Sequence, residues 1–392
     1  MKKMLYYTTK DMTGSEVGIN NKIREQIGYF EKNGYAVDAV YRRNEKELVI
    51  SRKGTEHVLK TLEMRPYKVF SNAILHRFVR KRHYDCVYIR YVYCDFEFMK
   101  LLKILRMNCG RIVIEIPTYP YDAELKDNAE HRIQLFLDVL HREHMRKYVD
   151  RIITFSDDEE IFGIPTVRTM NGLNFDHASV SVRNEQYRDK INLIAVAAHA
   201  LWHGYDRILA GMADYYKNGG ERDILFHVVG EGPELERYQQ MVRENALEDH
   251  VIFYGTLRGE ALDRVYDNCD LAAEAFGAHR KGIRKSSSLK SREYAAKGLP
   301  VVSGMDIDIF ENPPLSEYLL KVSYDDSPVD MNAIILFYDR IYGSAPRGEI
   351  AGRIRDAAAS VCSLDSVLRP VLEALEGSDR GDNADGAPER FQ

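Results

Sequence analysis

A doubly wound α/β fold in two domains is what this sequence predicts, and three observations predict it. Short β-branched or aromatic runs alternate with longer amphipathic stretches, the rhythm of βα units laid around a parallel sheet. That rhythm breaks near Asn171-Gly172-Leu173-Asn174 and resumes after the polar stretch Ser181-Val182-Arg183-Asn184-Glu185-Gln186. A chain of 392 residues also exceeds the size at which a single core keeps growing.

In the first half, strands are expected at Met4–Thr8, Ala36–Arg42, Cys86–Tyr91, Arg111–Ile116, Arg151–Thr154 and Thr166–Thr169. Helices are expected at Asn20–Asn33, Phe96–Met107 and Arg132–Tyr148. A second series runs through Ile191–Ala197, Ile224–Val229, Val251–Tyr254, Leu271–Glu274 and Pro300–Val302, each separated by one helical pattern. Pro233 sits at a natural first helical position, and Gly298-Leu299-Pro300 stops the helix of Ser291–Lys297. Both halves therefore read as Rossmann-like domains, 1–180 and 181–335. Residues 336–376 read as helices crossing back to the first domain, and 377–392, without apolar content, as a disordered tail.

Composition narrows the function classes. Hydrophobic residues at 45% and charged residues at 29% suit a globular protein, and no apolar run is long enough to span a bilayer. The opening Met1-Lys2-Lys3-Met4-Leu5 is cut short by Lys10 and Asp11, so no signal peptide is expected and a cytoplasmic location is. Five cysteines without a Cys-x-x-Cys pair suggest reduced thiols rather than disulfides or zinc. Residues 1–180 carry 30 Lys and Arg against 25 Asp and Glu, a net of +5, and the remainder has a net of −10. Much of the positive charge lies in Arg77–Arg82 and His141–Lys147, which could rest on an anionic membrane surface or form an ordinary solvated helix face. No nucleic-acid partner is expected.

Ligands of open α/β sheets bind beyond the carboxyl ends of the strands, so the segments after each strand are the places to search. After the first strand comes Thr13-Gly14-Ser15-Glu16-Val17-Gly18, where Gly14, Ser15 and Gly18 could present free N–H groups to a phosphate or simply form a tight turn. After the first strand of the second domain comes Leu201-Trp202-His203-Gly204, placing His203 and Gly204 at a helix start. The strongest signal is His279-Arg280-Lys281-Gly282 followed by Ser286-Ser287-Ser288-Leu289-Lys290-Ser291-Arg292-Glu293. A hydroxyl-rich turn, Ser287 and Ser288, opens a helix with Arg280 and Lys290 nearby, a setting suited to a diphosphate. Glu293, one turn inside, could accept two hydrogen bonds from a ribose diol.

These signals, in order, resemble the GT-B glycosyltransferases, in particular the family-four group of retaining enzymes that build bacterial polysaccharides. The resemblance covers most of the chain. It rests on Trp202-His203-Gly204, Val228-Val229-Gly230-Glu231-Gly232-Pro233-Glu234-Leu235, Val251-Ile252-Phe253-Tyr254-Gly255, and Leu289-Lys290-Ser291-Arg292-Glu293-Tyr294 ending at Gly298-Leu299-Pro300. It implies two Rossmann-like domains facing a cleft, with a nucleotide-sugar, UDP- or GDP-linked, held by the second domain and an acceptor by the first. Gly230, Gly232, Gly255 and Leu289 join the expected donor-binding residues. Of the family's two glutamates separated by seven residues, Glu293 matches the second, which holds the ribose, and Lys285 replaces the first, which contacts the donor sugar. Pro117-Thr118-Tyr119-Pro120-Tyr121-Asp122 stands where relatives place a histidine near the reacting sugar, so Tyr119, Tyr121 and Asp122 are expected to contact donor sugar or acceptor.

Arg280, Lys285 and Lys290 are accordingly the expected catalytic groups, stabilising charge that develops on the departing diphosphate. The resemblance implies transfer with retention to a lipid-linked or polysaccharide acceptor, no metal and no cofactor beyond the co-substrate. Asp306-Ile307-Asp308 matches the Asp-x-Asp of a different, metal-dependent glycosyltransferase fold, but the order of elements suits the metal-independent one. Gly230-Glu231-Gly232 lacks the third glycine of a dinucleotide fingerprint, having Leu235 there. Two other readings are a binding protein of this shape without catalysis and a sugar-nucleotide epimerase of the same architecture.

Overall fold

The computed structural model of the protein describes residues 1–14, 17–61, 67–122, 129–177, 180, 187 and 189–377, so most of the predicted linker, most of the tail and Ser15 lie outside the described residues. The chain divides into two compact units, 1–170 with 367–392, and 171–366. Both are α/β.

The first unit contains β1 (Lys2–Asp11), α1 (Val17–Lys32), β2 (Tyr35–Arg43), β3 (Glu47–Arg52), β4 (Thr55–Thr61), α2 (Tyr67–Val79), β5 (Tyr84–Arg90), α3 (Phe96–Asn108), β6 (Cys109–Ile116), α4 (Ala129–His141), β7 (Arg151–Thr154), β8 (Glu160–Ile161) and β9 (Ile164–Arg168). Its sheet runs β4-β3-β2-β1-β5-β6-β7-β9-β8, parallel from β2 through β9 and closed at each edge by an antiparallel pair. The β3–β4 hairpin was not among the expected strands. It turns at Lys53 and Gly54, both with positive φ, a Lys-Gly signal that the sequence displays. Central strands bury consecutive residues, such as Met4-Leu5-Tyr6-Tyr7 of β1, because both faces of a parallel sheet are covered.

Helix ends follow local chemistry. Asp95 caps α3 by accepting from the Phe98 amide at 2.7 Å. The single helix expected over 132–148 is instead α4 followed by a 3-10 turn, Arg142–Lys147.

The second unit contains β10 (Ile191–Val196), α5 (Asp206–Lys217), β11 (Ile224–Val229), α6 (Leu235–Glu244), β12 (Val251–Phe253), α7 (Glu260–Tyr266), β13 (Leu271–Ala273), β14 (Lys285–Ser286), α8 (Leu289–Lys297), β15 (Val301–Ser303), β16 (Asp306–Ile307), β17 (Leu319–Lys321), α9 (Met331–Tyr342) and α10 (Arg347–Cys362). The parallel sheet runs β12-β11-β10-β13-β15-β17, with β14 and β16 pairing separately. Of the expected C-terminal helices, α9 and α10 belong to the second unit, and α11 (Leu364–Glu376) rejoins the first from Val367 onward. Residues 171–180 belong with the second unit, ten residues before the expected boundary.

A buried ion cluster sits at the carboxyl ends of the first unit's strands. Glu115, fully buried, accepts from Lys22 Nζ at 3.0 Å, Arg90 Nη1 at 2.5 Å, Gln26 Nε2 at 2.9 Å and the Tyr88 hydroxyl. Burial alone would raise its pKa. Lys22 and Arg90, with the hydrogen bonds from Tyr88 and Gln26, outweigh that and hold the carboxyl well below its ordinary range. Replacing Glu115 with Ala strands two buried cations and is expected to cost about 3–5 kcal/mol in urea denaturation. Because the folded-state pKa is depressed, this stabilisation is complete above the unfolded carboxyl's pKa and is lost as pH falls below it. Acid titration of stability should therefore be shallower in Glu115→Ala than in the parent.

Candidate functional site

The second sheet reverses its winding at β10, with β11 and β12 on one side and β13, β15 and β17 on the other. A crevice forms at such a switch point, beyond the strand ends. The segments that converge there are those after β10, β11 and β13, and glycine lets them approach. Gly204, at φ 66°, lies so close to Gly277 that a Cβ would overlap the Gly277 amide. Gly230 at φ 118° and Gly232 at φ 156° pack likewise on Ala197 and His199, where only glycine fits. Gly255, at φ 65°, has open space where a Cβ would point, and its carbonyl accepts from the Gly230 amide at 2.7 Å.

Ser288 caps α8 by accepting from the Ser291 amide at 3.1 Å, while its hydroxyl donates to Glu274 Oε1. Glu274, immediately after β13, is fully buried, and Lys290 Nζ stands 3.7 Å from its Oε2. Beside this group lie two histidines. Neither ring nitrogen of fully buried His199 makes a hydrogen bond of ordinary geometry among the described residues, and neither does Glu274 Oε2. His203 Nδ1 accepts from the Ala200 amide at 3.0 Å, which leaves the proton on Nε2, and its ring stacks on Tyr205. Burial first, then the Lys290 charge, pushes His199 down to about 4 and His203 to about 3. Both are neutral at pH 7. The crevice thus gathers one cation, one carboxylate, two neutral imidazoles and the amino end of α8, a set that suits an anionic ligand.

Glu293 lies one turn into α8, and burial raises its pKa against the opposing charge of Lys297. Leu289 opens the helix. Ser287 is a structural hub: its Oγ accepts from the Asn171 amide at 3.1 Å and from Arg292 Nη2 at 2.9 Å.

Two of the three expected catalytic residues are placed differently. The Arg280 guanidinium makes four hydrogen bonds within the protein, to Asp206, Asp326 and the Leu201 carbonyl, and a further ion-pair contact with Asp326. Arg280 therefore fastens the segment after β13 to the start of α5, with most of its donors spent inside the protein. Lys285, on β14, reaches outward to Glu311 at 2.7 Å, an exposed ion pair away from Glu274 and Lys290. Of the three, Lys290 is the one that stands beside Glu274. The Asp-x-Asp carboxylates are engaged too, Asp306 by Lys321 and Asp308 by Arg292.

In the first unit, Asp11 closes the turn after β1 by accepting from the Thr13 amide at 2.9 Å, so a carboxylate occupies the loop that was expected to receive a phosphate through Gly14. Gly18 lies in the first turn of α1, and Ser15 falls outside the described residues. Tyr121 is buried with its hydroxyl donated to Asp138 at 2.6 Å, and Asp122 is held by Arg142 at 2.7 Å. Tyr119 packs edge-on against Tyr121 and Phe162. Tyr121 and Asp122 build a corner of the fold rather than a free sugar-binding surface.

Sequence reasoning missed His199 and Glu274. Each stands within three residues of a strand end, so position relative to the strands was their only signal. Lys281, whose Nζ lies 3.4 Å from the centre of the Trp202 ring, was also passed over.

Residues 180–306 match the family model described as glycosyl transferases group 1. No curated protein matches the chain. Among solved structures it is similar to a glycosyltransferase from Rickettsia africae ESF-5, at 12% identity and TM-score 0.65, over 97% of this chain and 99% of that one. It is similar also to a sucrose-phosphate synthase from Thermosynechococcus elongatus, at 15% identity and TM-score 0.66, over 96% and 99%. A third, Anabaena HepE in complex with UDP and glucose, aligns at 12% identity and TM-score 0.58 over 96% and 100%. The fold is GT-B, as the sequence predicted.

Two outcomes test this geometry. Arg280→Ala should lower unfolding free energy by about 1–3 kcal/mol, because buried Asp206 then keeps only its contact with half-exposed Arg237 and the Leu201 carbonyl loses its donor. His199 and His203 have depressed folded-state pKa values, so they favour the folded state above the unfolded histidine value near 6.5, and that advantage is lost as pH falls below it. Urea titrations should show about 2 kcal/mol lost between pH 7 and 5 for each such histidine, the slope approaching about 1.4 kcal/mol per pH unit only toward pH 5, and His203→Gln should remove one share.

Proposed function

We propose that this protein, which carries a group 1 glycosyltransferase domain within a GT-B fold, moves a sugar from a nucleoside-diphosphate sugar to a glycan or lipid-linked acceptor. The observation that carries the reading is the amino end of α8, where Lys290 and the first-turn amides stand beside buried Glu274 at the switch point of the second sheet.

Breaking the bond between the sugar carbon and the diphosphate leaves negative charge on the departing phosphate. Donors fixed toward those oxygens stabilise that charge more in the transition state than in the ground state. Lys290 and the free amides of α8 fill this role, with Ser288 holding the helix start in place. Glu274 positions Lys290 and keeps an unbonded oxygen for a donor on the ligand. Glu293 accepts from the ribose hydroxyls. His203 donates through Nε2, a neutral contact that survives across ordinary pH. The glycines at 204, 230 and 232 admit the ligand close to backbone.

The reading includes UDP as the nucleotide. HepE, a structural neighbour, was solved with UDP, and so was a pneumococcal O-GlcNAc transferase with TM-score 0.50. Retention, transfer without a metal, a part in polysaccharide assembly and work at the inner face of a membrane follow from the family resemblance and belong to the same proposal. No helix among the described residues is long and apolar enough to cross a membrane.

A panel of nucleotide-sugars tests the whole reading: turnover or hydrolysis of one donor supports it, epimer formation replaces it with an epimerase, and inertness toward every donor rejects it. Lys290→Ala should lower turnover about 10²–10³-fold without loss of fold. Glu293→Ala should weaken UDP binding in calorimetry, and unchanged affinity would remove its ribose role.

A further inference from the structure

The helix α4 buries two polar side chains and exposes four apolar ones. It turns Gln134 and Asp138 inward, where Asp138 accepts from the Cys94 amide at 2.6 Å, the Tyr121 hydroxyl at 2.6 Å and the Tyr91 hydroxyl. Four of its apolar side chains are left in solvent, Ile133 at 62% exposed, Phe136 64%, Val139 50% and Leu140 53%, while Leu135 and Leu137 are half-buried. Ile133, Phe136 and Leu140 recur at i, i+3 and i+7, a continuous ridge along one helix face. The ordinary arrangement would have the polar residues outside and these inside. Here the buried Asp138 network fixes the helix's rotation, so the exposed ridge is imposed by the fold rather than being scattered surface residues.

The surroundings of the ridge identify what covers it. α3 packs between α2 and α4 and also touches the turn Arg142–Lys147. On α3, Phe96 and Met107 are exposed as well. The same layer exposes the cations Arg77, Arg80, Lys103, Arg146 and Lys147, with Lys81 just beyond the end of α2. Among the described side chains of these elements, Glu143 is the exposed carboxylate. A two-fold contact with a second copy through this ridge would bring like charges together. An anionic lipid surface pairs with the cations and accepts the apolar side chains at once.

We infer that the α4 ridge of Ile133, Phe136, Val139 and Leu140 inserts into the headgroup region of an anionic membrane, with the neighbouring cations on lipid phosphates. This deepens the membrane-surface part of the proposed function and rests on it, while standing apart from the transfer chemistry.

Co-sedimentation with phosphatidylcholine vesicles, with and without phosphatidylglycerol, is the test, with UDP affinity measured by calorimetry on the same preparations. The parent should bind the phosphatidylglycerol vesicles, and the triple variant Ile133→Ser/Phe136→Ser/Leu140→Ser should bind about tenfold less or weaker with UDP affinity unchanged. A parent that binds UDP but neither vesicle overturns this inference and leaves the transferase reading standing. A parent that binds vesicles but no nucleotide supports the inference and counts against the transferase. Equal vesicle binding by parent and variant overturns it, as does a parent dimer that the variant converts to monomer without lipid binding. Should the triple variant fail to fold, Phe136→Trp in the otherwise intact chain decides: its added emission should be quenched by acyl-brominated lipids, and the lack of quenching overturns insertion.

Discussion

The second unit is organised around backbone contacts that only glycine allows. Where β10 and β11 end, Gly230 and Gly232 rest against the backbone of Ala197–His199, and Gly204 rests against Gly277 beyond β13. Any side chain at these places would force the segments apart, and the crevice between them would lose its floor. From that close approach follows the position of His199 and His203, and hence the dry, neutral state of both rings.

Around this floor the charged groups divide into two kinds. Arg280 and Arg292 are structural cations: Arg280 spends its guanidinium on a carbonyl and two carboxylates, and Arg292 on carbonyls, hydroxyls and a carboxylate of the same unit. Lys290 is different, held at 3.7 Å from a buried carboxylate that retains an unbonded oxygen. A guanidinium with five fixed donors suits stapling of loops, whereas a flexible ammonium can leave its partner for a phosphate. The first unit repeats the logic. Glu115 ties Lys22 and Arg90 under the strand ends, and Asp138 orients α4 by collecting two tyrosine hydroxyls and an amide. In that unit the buried acids decide which faces of the helices meet water.

Much of the fold was legible because it depends on patterns that a linear reading detects. Hydrophobic runs at strand length, with helical patterns between them, gave nearly every central strand, and Gly298 marked the end of α8, where its φ of 77° confirms a left-handed cap. The β3–β4 hairpin was overlooked because it interrupts the βα rhythm that organised the reading. Of the candidate site, the Ser288 cap and the helix it opens, which carries Lys290 and Glu293, were legible because a hydroxyl cap and its helix are local features. Arg280 and Lys285 were misread since nothing local reveals that Asp206 and Glu311, far along the chain, claim their charges.

By itself the sequence determined two doubly wound halves, the places where strands end, and the helix whose amino end faces the crevice. These depend on periodicity and on residues within a turn of one another. Only the tertiary structure decided which charges are spent and which remain available, which histidines are dry, and that Ile133, Phe136, Val139 and Leu140 of α4 face outward. Those outcomes depend on partners dozens of residues away, and a buried carboxylate's choice of partners is a property of three-dimensional packing that no local pattern encodes.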